Sequence, residues 1–182
     1  MSVQQQAFRP RRPRPPLDPA TIRALALQYV GRYATTQARL ADYLERKLRE
    51  RGWIDAAPGP DLPELVSEFV RLGYVDDDAF ASARVTALLR RGYGANKLNI
   101  ALRHAGIPAE KAESAARIDI DSAREAAMIF ARRKRLGPFG QPLLDHKARS
   151  RAFAAFIRAG HSYEIAGKIL QLRFDDGNSD DF

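Results

Sequence analysis

The spacing of the apolar residues is the feature that most constrains how this chain can fold. Ile22, Leu25, Ala26 and Tyr29 stand at positions i, i+3, i+4 and i+7, which places them on one face of an α-helix. The same spacing recurs at Leu62, Leu65, Val66 and Phe69, at Ala123, Ala126, Ala127 and Phe130, and at Ala152, Ala155, Phe156 and Ala159. Strand-like alternation is not sustained in any segment of the sequence. We therefore predict an all-α protein.

Residues that begin and end helices punctuate this pattern. Thr35 or Thr36, Asp61 and Asp76 stand where their side chains can cap the first turn of a helix. Glycines, which commonly terminate helices, stand at the predicted ends, at Gly52, Gly73, Gly92, Gly106 and Gly160. The punctuation and the apolar pattern together predict nine helices in three groups of three.

Three of these glycines are evenly spaced. Gly52, Gly106 and Gly160 follow one another at intervals of 54 residues, and each ends the middle helix of its group. We therefore predict tandem three-helix repeats, similar to helix-turn-helix units, in an elongated curved molecule. A chance match of helix ends is the alternative. The predicted repeats cover residues 19–75, 76–120 and 121–174, between a disordered Pro/Arg-rich basic arm (1–18) and an acidic tail (175–182).

The segment from Leu72 to Gly94 carries the strongest local signal. Tyr74 and Val75 should pack the turn after Gly73 against the core, and Asp76 should cap the next helix. Asp77 and Asp78 should face the positive end of its dipole. A metal or acid-base role for the three aspartates is the alternative, but neighbouring residues on one helical turn point in different directions.

The glycines from Gly92 to Gly94 predict a tight corner between two helices. Tyr93 should pack inward there, whereas Lys97 and Arg103 should project outward. A phosphate-binding loop is excluded because its glycine–lysine pair is missing and a helix, not a strand, precedes the corner.

The sequence offers no catalytic or metal-binding constellation. It contains no cysteine, which excludes disulfides, thiolate–metal sites and a cysteine nucleophile, and favours a reducing cytoplasm. His104, His146 and His161 lack the spacing of zinc ligands and should be surface or capping residues. We expect no enzyme activity, no metal and no cofactor. Because no apolar run approaches the roughly 20 residues that span a bilayer, we also expect a soluble cytoplasmic protein without a membrane partner.

Positive charge is the remaining functional feature. The chain carries 30 lysines and arginines against 22 aspartates and glutamates, a formal net charge of +8. Arg132, Arg133, Lys134 and Arg135 close one predicted helix, and Lys147, Arg149, Arg151 and Arg158 lie on the next. A solvated face with cations at a helix end is the simpler interpretation. So many cations in one repeat nevertheless favour a polyanionic partner.

The central repeat also carries a resemblance to a known family, the RecX regulatory proteins. The residues that resemble its motif are Gly73-Tyr74-Val75-Asp76-Asp77, Phe80, Arg91-Gly92-Tyr93-Gly94, Leu102-Arg103 and Gly106-Ile107. The segments from Ala24 to Leu48 and from Arg151 to Glu164 are similar to the family's first and third repeats. Asn99 departs from the pattern, because another arginine or lysine is expected there.

The resemblance implies a non-catalytic crescent of three-helix modules that lies in the groove of the RecA nucleoprotein filament. Such a protein would inhibit the ATPase, strand exchange or extension of RecA, and so moderate recombination and the SOS response. The expected partners are the RecA filament, single-stranded DNA and also double-stranded DNA. Binding to DNA should be weak and without sequence preference, and the protein should be a monomer. The predicted contact residues are Arg84, Arg90, Arg91, Lys97, Arg103, Arg132, Arg133, Lys134, Arg135, Lys147, Arg149, Arg151 and Arg158.

Two other functions are compatible with the residues alone. A general helix-turn-helix DNA-binding protein would use the corner at Gly92 to Gly94 and the surplus positive charge. An enzyme is disfavoured, because no acid–base pair, metal set or phosphate loop can be placed.

Overall fold

The computed structural model describes residues 15–55, 58–141 and 145–172, and these ranges contain nine α-helices. The helices are α1 (Pro19–Arg32), α2 (Gln37–Arg51), α3 (Leu62–Arg71), α4 (Asp77–Leu89), α5 (Ala95–Arg103), α6 (Ala109–Ala115), α7 (Ile120–Lys134), α8 (His146–Arg158) and α9 (Tyr163–Gln171). A short 3-10 helix, Gly137–Phe139, follows α7. No strand is formed within the described ranges, so the all-α prediction is confirmed.

Most helices begin and end at the residues that the sequence predicts. The Thr36 hydroxyl, the Asp61 carboxylate and the Asp76 carboxylate each accept a hydrogen bond from a backbone N–H of the following first turn. All five glycines predicted to end helices have a positive φ, between 74° and 93°. Local backbone chemistry therefore sets these boundaries, as is expected where a side chain or a left-handed residue satisfies the exposed helix end.

The chain folds into two compact units, unit 1 up to Val75 and unit 2 from Asp76. In unit 1, α2 packs against both α1 and α3. Its core includes Ile22 of α1, Leu40 and Leu44 of α2, and Phe69 of α3, all of which are buried. Tyr74 departs from its predicted inward position: its ring lies beside Phe69 but stays 52% exposed. Val75 alone anchors that turn in the core, at 2% exposure.

The end of the predicted N-terminal arm belongs to the folded unit 1. Leu17 is fully buried, its amide donates to the Gly52 carbonyl at 2.9 Å, and its carbonyl accepts from the Ile54 amide at 3.0 Å. Asp18 then caps α1 by accepting from the Thr21 amide. The sequence predicts residues 15–18 to belong to the arm because prolines dominate its composition. Composition gives no sign that Leu17 packs in the core of unit 1. The rest of the arm, 1–14, and the acidic tail, 175–182, lie outside the described residues.

Unit 2 contains the remaining six helices. Leu102, Ile107 and Ala112 form a core with α4, and Phe156 and Ile169 form a second core with α7. Tyr93 packs at the edge of this second core and of a third cluster around Leu98. Two of the predicted repeats therefore share one compact unit, and the division of the chain into three repeats stays a prediction.

The described helices are short. The longest, α2 and α7, have 15 residues each. Among the described residues, no helix combines the length and the apolar character needed to cross a membrane.

The buried position of Leu17 gives the first testable prediction. Leu17→Ala should lower the free energy of unfolding by about 2 to 4 kcal/mol, because it leaves a cavity in the core of unit 1. Leu27→Ala is the matched control, since Leu27 is 49% exposed and its truncation should change stability by less than about 0.5 kcal/mol. Urea unfolding followed by circular dichroism measures both. Equal stability of the two variants would contradict the assignment of Leu17 to the core.

Candidate functional site

All thirteen cations predicted to contact a partner are exposed and belong to unit 2. Arg84 lies on α4, while Arg90 and Arg91 follow the end of that helix. Lys97 and Arg103 lie on α5, as predicted facing outward, because Leu98 and Leu102 take the buried face. The others lie at the end of α7 (Arg132, Arg133, Lys134, Arg135) and on α8 (Lys147, Arg149, Arg151, Arg158).

The turn between α4 and α5 is pressed against the backbone of α7. A Cβ atom on Gly92 would lie 2.7 Å from the Phe130 amide nitrogen and 3.0 Å from the Ala126 carbonyl oxygen. Gly92 also has a φ of 74°, a conformation that residues with a side chain rarely adopt. Both constraints require glycine at this position.

Backbone hydrogen bonds join the same turn to the turn between α8 and α9. The Gly94 amide donates to the Ala159 carbonyl at 3.0 Å, and the Asn96 amide donates to the Gly160 carbonyl at 3.2 Å. A Cβ atom on Gly94 would lie 2.4 Å from the Gly160 carbonyl oxygen, which leaves no room for a side chain. We call this contact, between residues 92–97 and 159–161, the glycine joint. Its hydrogen bonds occupy amides that a phosphate-binding loop would need free.

Several of the predicted cations gather around the glycine joint. The Arg133 guanidinium donates to the Arg91 carbonyl, and the Arg91 guanidinium lies 5.6 Å from the centre of the Tyr93 ring. A Cβ atom on Gly160 would lie 2.7 Å from the Cβ of Lys97, so Lys97 stands directly at the contact. Arg158 precedes Gly160 by two residues. The structure thus brings side chains from four different helix ends to one region of unit 2.

The end of α7 holds its cations in different ways. The Arg132 guanidinium lies 4.9 Å from the centre of the Phe139 ring. Arg135 caps the helix with a φ of 52° and a ψ of 51°, the left-handed conformation that normally favours glycine. Cations in the last turn are also attracted by the negative end of the helix dipole, so part of this cluster is explained by helix stability alone.

The remaining predicted cations extend away from the joint. Arg84 of α4 lies six residues before Arg90, and Arg103 of α5 lies six residues after Lys97. At about 1.5 Å per residue, Arg84 and Arg103 are each about 9 Å further from the joint along the helix axis. Lys147, Arg149 and Arg151 lie about 10 to 16 Å from Arg158 along α8. The thirteen residues therefore form a cluster at the joint with extensions, and not one compact patch.

Unit 2 carries an excess of positive charge. Residues 76–172 contain 17 lysines and arginines and 10 aspartates and glutamates. Ion pairs in this unit join Lys111 to Asp78, Arg117 to Glu113 and Lys168 to Glu164, and these three cations are outside the predicted set. Asp76 caps α4 as predicted. Thirteen of the 17 cations in this range belong to the predicted set.

His161 is the residue of this region that sequence reasoning placed wrongly. It is only 2% exposed, not a surface residue, and its Nε2 lies 3.1 Å from the Gly92 carbonyl oxygen. Because a carbonyl can only accept, Nε2 carries the proton in this contact. Its ring packs against both Phe130 and Phe156, with both centroids 5.5 Å away. Only the fold reveals this role, since the two hydrogen-bonded residues are 69 positions apart.

Similarity to a protein of known family, over nearly the whole chain, identifies the family to which this chain belongs. The chain is 36% identical over 177 residues to a regulatory protein RecX of Myxococcus xanthus, and the match covers 88% of this chain and 89% of that protein. This chain belongs to the RecX family.

Other RecX proteins agree with this assignment. A regulatory protein RecX of Agrobacterium fabrum is 31% identical, over 83% of this chain and 82% of its own length. The crystal structure of RecX from Lactobacillus salivarius has the same fold, with a TM-score of 0.60, 18% identity, and coverage of 84% of this chain and 94% of that one. A second RecX crystal structure matches with a TM-score of 0.56 and 18% identity, over 82% and 72% of the two chains. No protein-family model matches the chain.

Asn99, where the family pattern led us to expect a basic residue, does not face outward. It is half-buried on α5, and its side-chain oxygen is enclosed without a hydrogen-bond partner among the described residues. A position turned inward adds no charge to the surface. The outward basic residues of α5 are Lys97 and Arg103.

The glycine joint gives the second testable prediction. Gly94→Ala should lower the free energy of unfolding by about 1 to 3 kcal/mol, because its new methyl group would overlap the Gly160 backbone. Gly167→Ala in α9 is the control: its Cβ would lie 4.0 Å from Phe153, an ordinary contact, and alanine favours the helix. Urea unfolding should show the first variant destabilised and the second as stable as the wild type or more so. Two equally stable variants would contradict the close approach.

His161 gives the third prediction. Burial lowers the pKa of His161 below its usual 6.5, while the hydrogen bond to Gly92 opposes this shift. Below about pH 6.5 the unfolded chain therefore binds a proton that the folded chain resists. The free energy of unfolding should therefore decrease as the pH falls below this value, by at most about 1.4 kcal/mol per pH unit.

Urea unfolding at pH 7.5 and pH 5.5 measures this loss. His161→Gln should reduce the difference between the two pH values, whereas the exposed His104, changed to Gln, should leave it unaltered. The same pH dependence in all three proteins would show that His161 does not titrate with unfolding.

Proposed function

We propose that this protein is a non-catalytic regulator that binds the RecA nucleoprotein filament in the cytoplasm and inhibits its ATPase, strand exchange or extension. Recombination and the SOS response would be moderated as a result. The observation that carries the proposal is the 36% identity to a regulatory protein RecX over 88% of the chain. RecA is the partner that the resemblance to the RecX family implies.

The charge of unit 2 supports this partner. A filament of RecA on DNA is a long polyanionic assembly, and thirteen exposed cations on one unit are suited to bind such a surface. We propose that the cluster at the glycine joint, with Arg91, Lys97 and Arg133, makes the central contact. The cations further along α4, α5 and α8 would extend it to neighbouring parts of the filament, with the protein acting as a monomer.

A general helix-turn-helix DNA-binding protein is the second candidate. Such proteins insert the first residues of the second helix of the motif into the major groove. In this protein the equivalent backbone, around Gly94 and Asn96, is hydrogen-bonded to Ala159 and Gly160. One side of the first turn of α5 is thus already covered, which favours a contact through outlying side chains over insertion of the helix.

Two assays separate these functions. Stoichiometric amounts of the protein should lower the DNA-dependent ATP hydrolysis and strand exchange of its cognate RecA, and it should co-sediment with RecA on single-stranded DNA far better than with the DNA alone. Unchanged RecA activity would refute the proposal. Tight binding to bare duplex, weakened about 10³- to 10⁵-fold between 50 and 200 mM salt, would favour the second candidate.

Arg135 allows the role of charge to be tested apart from stability, and this is the fourth prediction. Arg135→Gly removes a cation and also relieves a left-handed backbone that costs a residue with a side chain about 1 kcal/mol. The variant should be at least as stable as the wild type but should bind the filament more weakly, with its salt slope reduced by about one.

The control for this variant is Arg117→Ala, which removes the same charge from a cation paired with Glu113 outside the predicted set. It should leave filament binding unchanged. Co-sedimentation over a salt series measures both variants, and thermal melting confirms that they are folded. If Arg135→Gly bound as tightly as the wild type at every salt concentration, Arg135 would not be a contact residue.

A further inference from the structure

Unit 1 carries an aromatic cluster at the junction of α1 and α2. The rings of Tyr29 and Tyr43 are stacked, with centroids 4.2 Å apart and planes inclined by 15°. Tyr33, just after α1, lies 5.4 Å from Tyr29 and is 50% exposed. Three tyrosine rings thus form a continuous series that ends at the surface.

Cations surround this series of rings. The Arg32 guanidinium lies 5.6 Å from the centre of the Tyr33 ring, and the Arg46 guanidinium lies 5.6 Å from that of Tyr43. The Lys47 ammonium lies 5.8 Å from the Tyr43 ring on the same helix. Positive charge and aromatic faces are therefore interleaved on one surface.

An open groove of about 570 Å³ runs beside the rings. Its wall includes Tyr29 and Tyr43 together with three arginines of α2, Arg39, Arg46 and Arg49. These arginines are spaced by seven and three residues, which aligns them along one face of the helix. A row of guanidinium groups beside stacked rings can follow a chain that carries both phosphates and bases.

Acidic residues also line the groove, so that two carboxylates, Asp42 and Glu45, face its three arginines. Arg49 lies 3.8 Å from Glu45, and the Lys47 ammonium is paired with Glu50 at 2.5 Å. Arg46 lies 3.7 Å from Glu50, which is also exposed. Long, solvent-exposed pairs of this kind contribute little to stability, so a phosphate can replace the carboxylate at small cost.

We propose that this groove binds single-stranded nucleic acid, with bases stacked on the tyrosine series and phosphates held by Arg39, Arg46 and Arg49. A duplex fits less well, because its bases are already stacked on one another and offer no free faces. An acidic peptide would use the guanidinium groups but would leave the stacked rings unused. This site lies wholly within unit 1 and requires no RecA, so it is independent of the function proposed for unit 2.

The first test, and the fifth prediction, separates base stacking from charge. Fluorescence anisotropy compares binding of a labelled 12-nucleotide oligothymidine with an abasic 12-mer of the same charge. Tyr33→Ala should weaken oligothymidine binding roughly tenfold and leave the abasic strand unaffected, because stacking on one aromatic ring is lost. Tyr33→Phe should restore binding, since it keeps the ring. Tyr163→Ala, which removes a 72% exposed tyrosine of unit 2, is the control and should change neither affinity.

A second pair of variants tests the phosphate contacts. Arg46→Ala with Arg49→Ala should weaken binding of both strands and flatten the salt dependence by about two contacts. Lys111→Ala with Arg117→Ala removes the same charge from unit 2, where both cations are in ion pairs, and should have no such effect. Circular dichroism melting checks that both double variants fold.

Ultraviolet crosslinking locates the bound strand. An oligonucleotide with 5-iodouracil should crosslink to peptides that contain Tyr29, Tyr33 or Tyr43. Crosslinks confined to unit 2, an affinity of Tyr33→Ala for oligothymidine equal to that of the wild type, or full competition by polyglutamate would each overturn the proposal. Loss of RecA inhibition with intact binding of the oligonucleotide would refute only the function proposed for unit 2, so the two failures are distinguishable.

Discussion

The meeting of two turns at Gly94 and Gly160 is the constraint on which the arrangement of unit 2 depends. Gly94 and Gly160 let two backbones approach until amide and carbonyl groups bond directly, and a single Cβ atom on either side would prevent it. Backbone hydrogen bonds fix both distance and orientation, because every donor has one direction. His161 adds a side-chain bond to Gly92 and packs against Phe130 and Phe156. This backbone contact therefore fixes the positions of the helix ends that carry the surrounding cations.

The charges near the glycine joint serve two purposes at once. α4 and α7 end there, and the ends of helices present carbonyl groups without intrahelical partners. Arg133 satisfies the Arg91 carbonyl, and the cations in the last turn of α7 oppose the negative end of its dipole. The same side chains remain exposed and so can meet an anionic partner. Structural stabilisation and binding are therefore not competing explanations of this cluster.

Local chemistry explains what the sequence could predict. A capping aspartate or a helix-ending glycine acts within four residues, so Asp61, Asp76 and the glycines could be assigned without knowledge of the fold. His161, Leu17 and the approach of Gly94 to Gly160 depend on partners far along the chain, and no local pattern reveals them. All predicted cations are exposed. The sequence could not predict which of them lie near the glycine joint, because that contact joins segments far apart along the chain. The tyrosine cluster of unit 1 has no local signature either, because Tyr29 and Tyr43 stack only when α1 packs against α2.

A junction built from main-chain atoms has a practical consequence. Every residue type supplies a backbone carbonyl, and every type except proline supplies an N–H. The hydrogen bonds at residues 94, 96, 159 and 160 therefore do not depend on which side chains surround them. The outward faces of α5 and α8 can be rewritten, with acidic, neutral or bulkier residues, while the attachment itself is preserved. Unit 2 is thus a scaffold on which the choice of partner and the integrity of the fold can be varied separately.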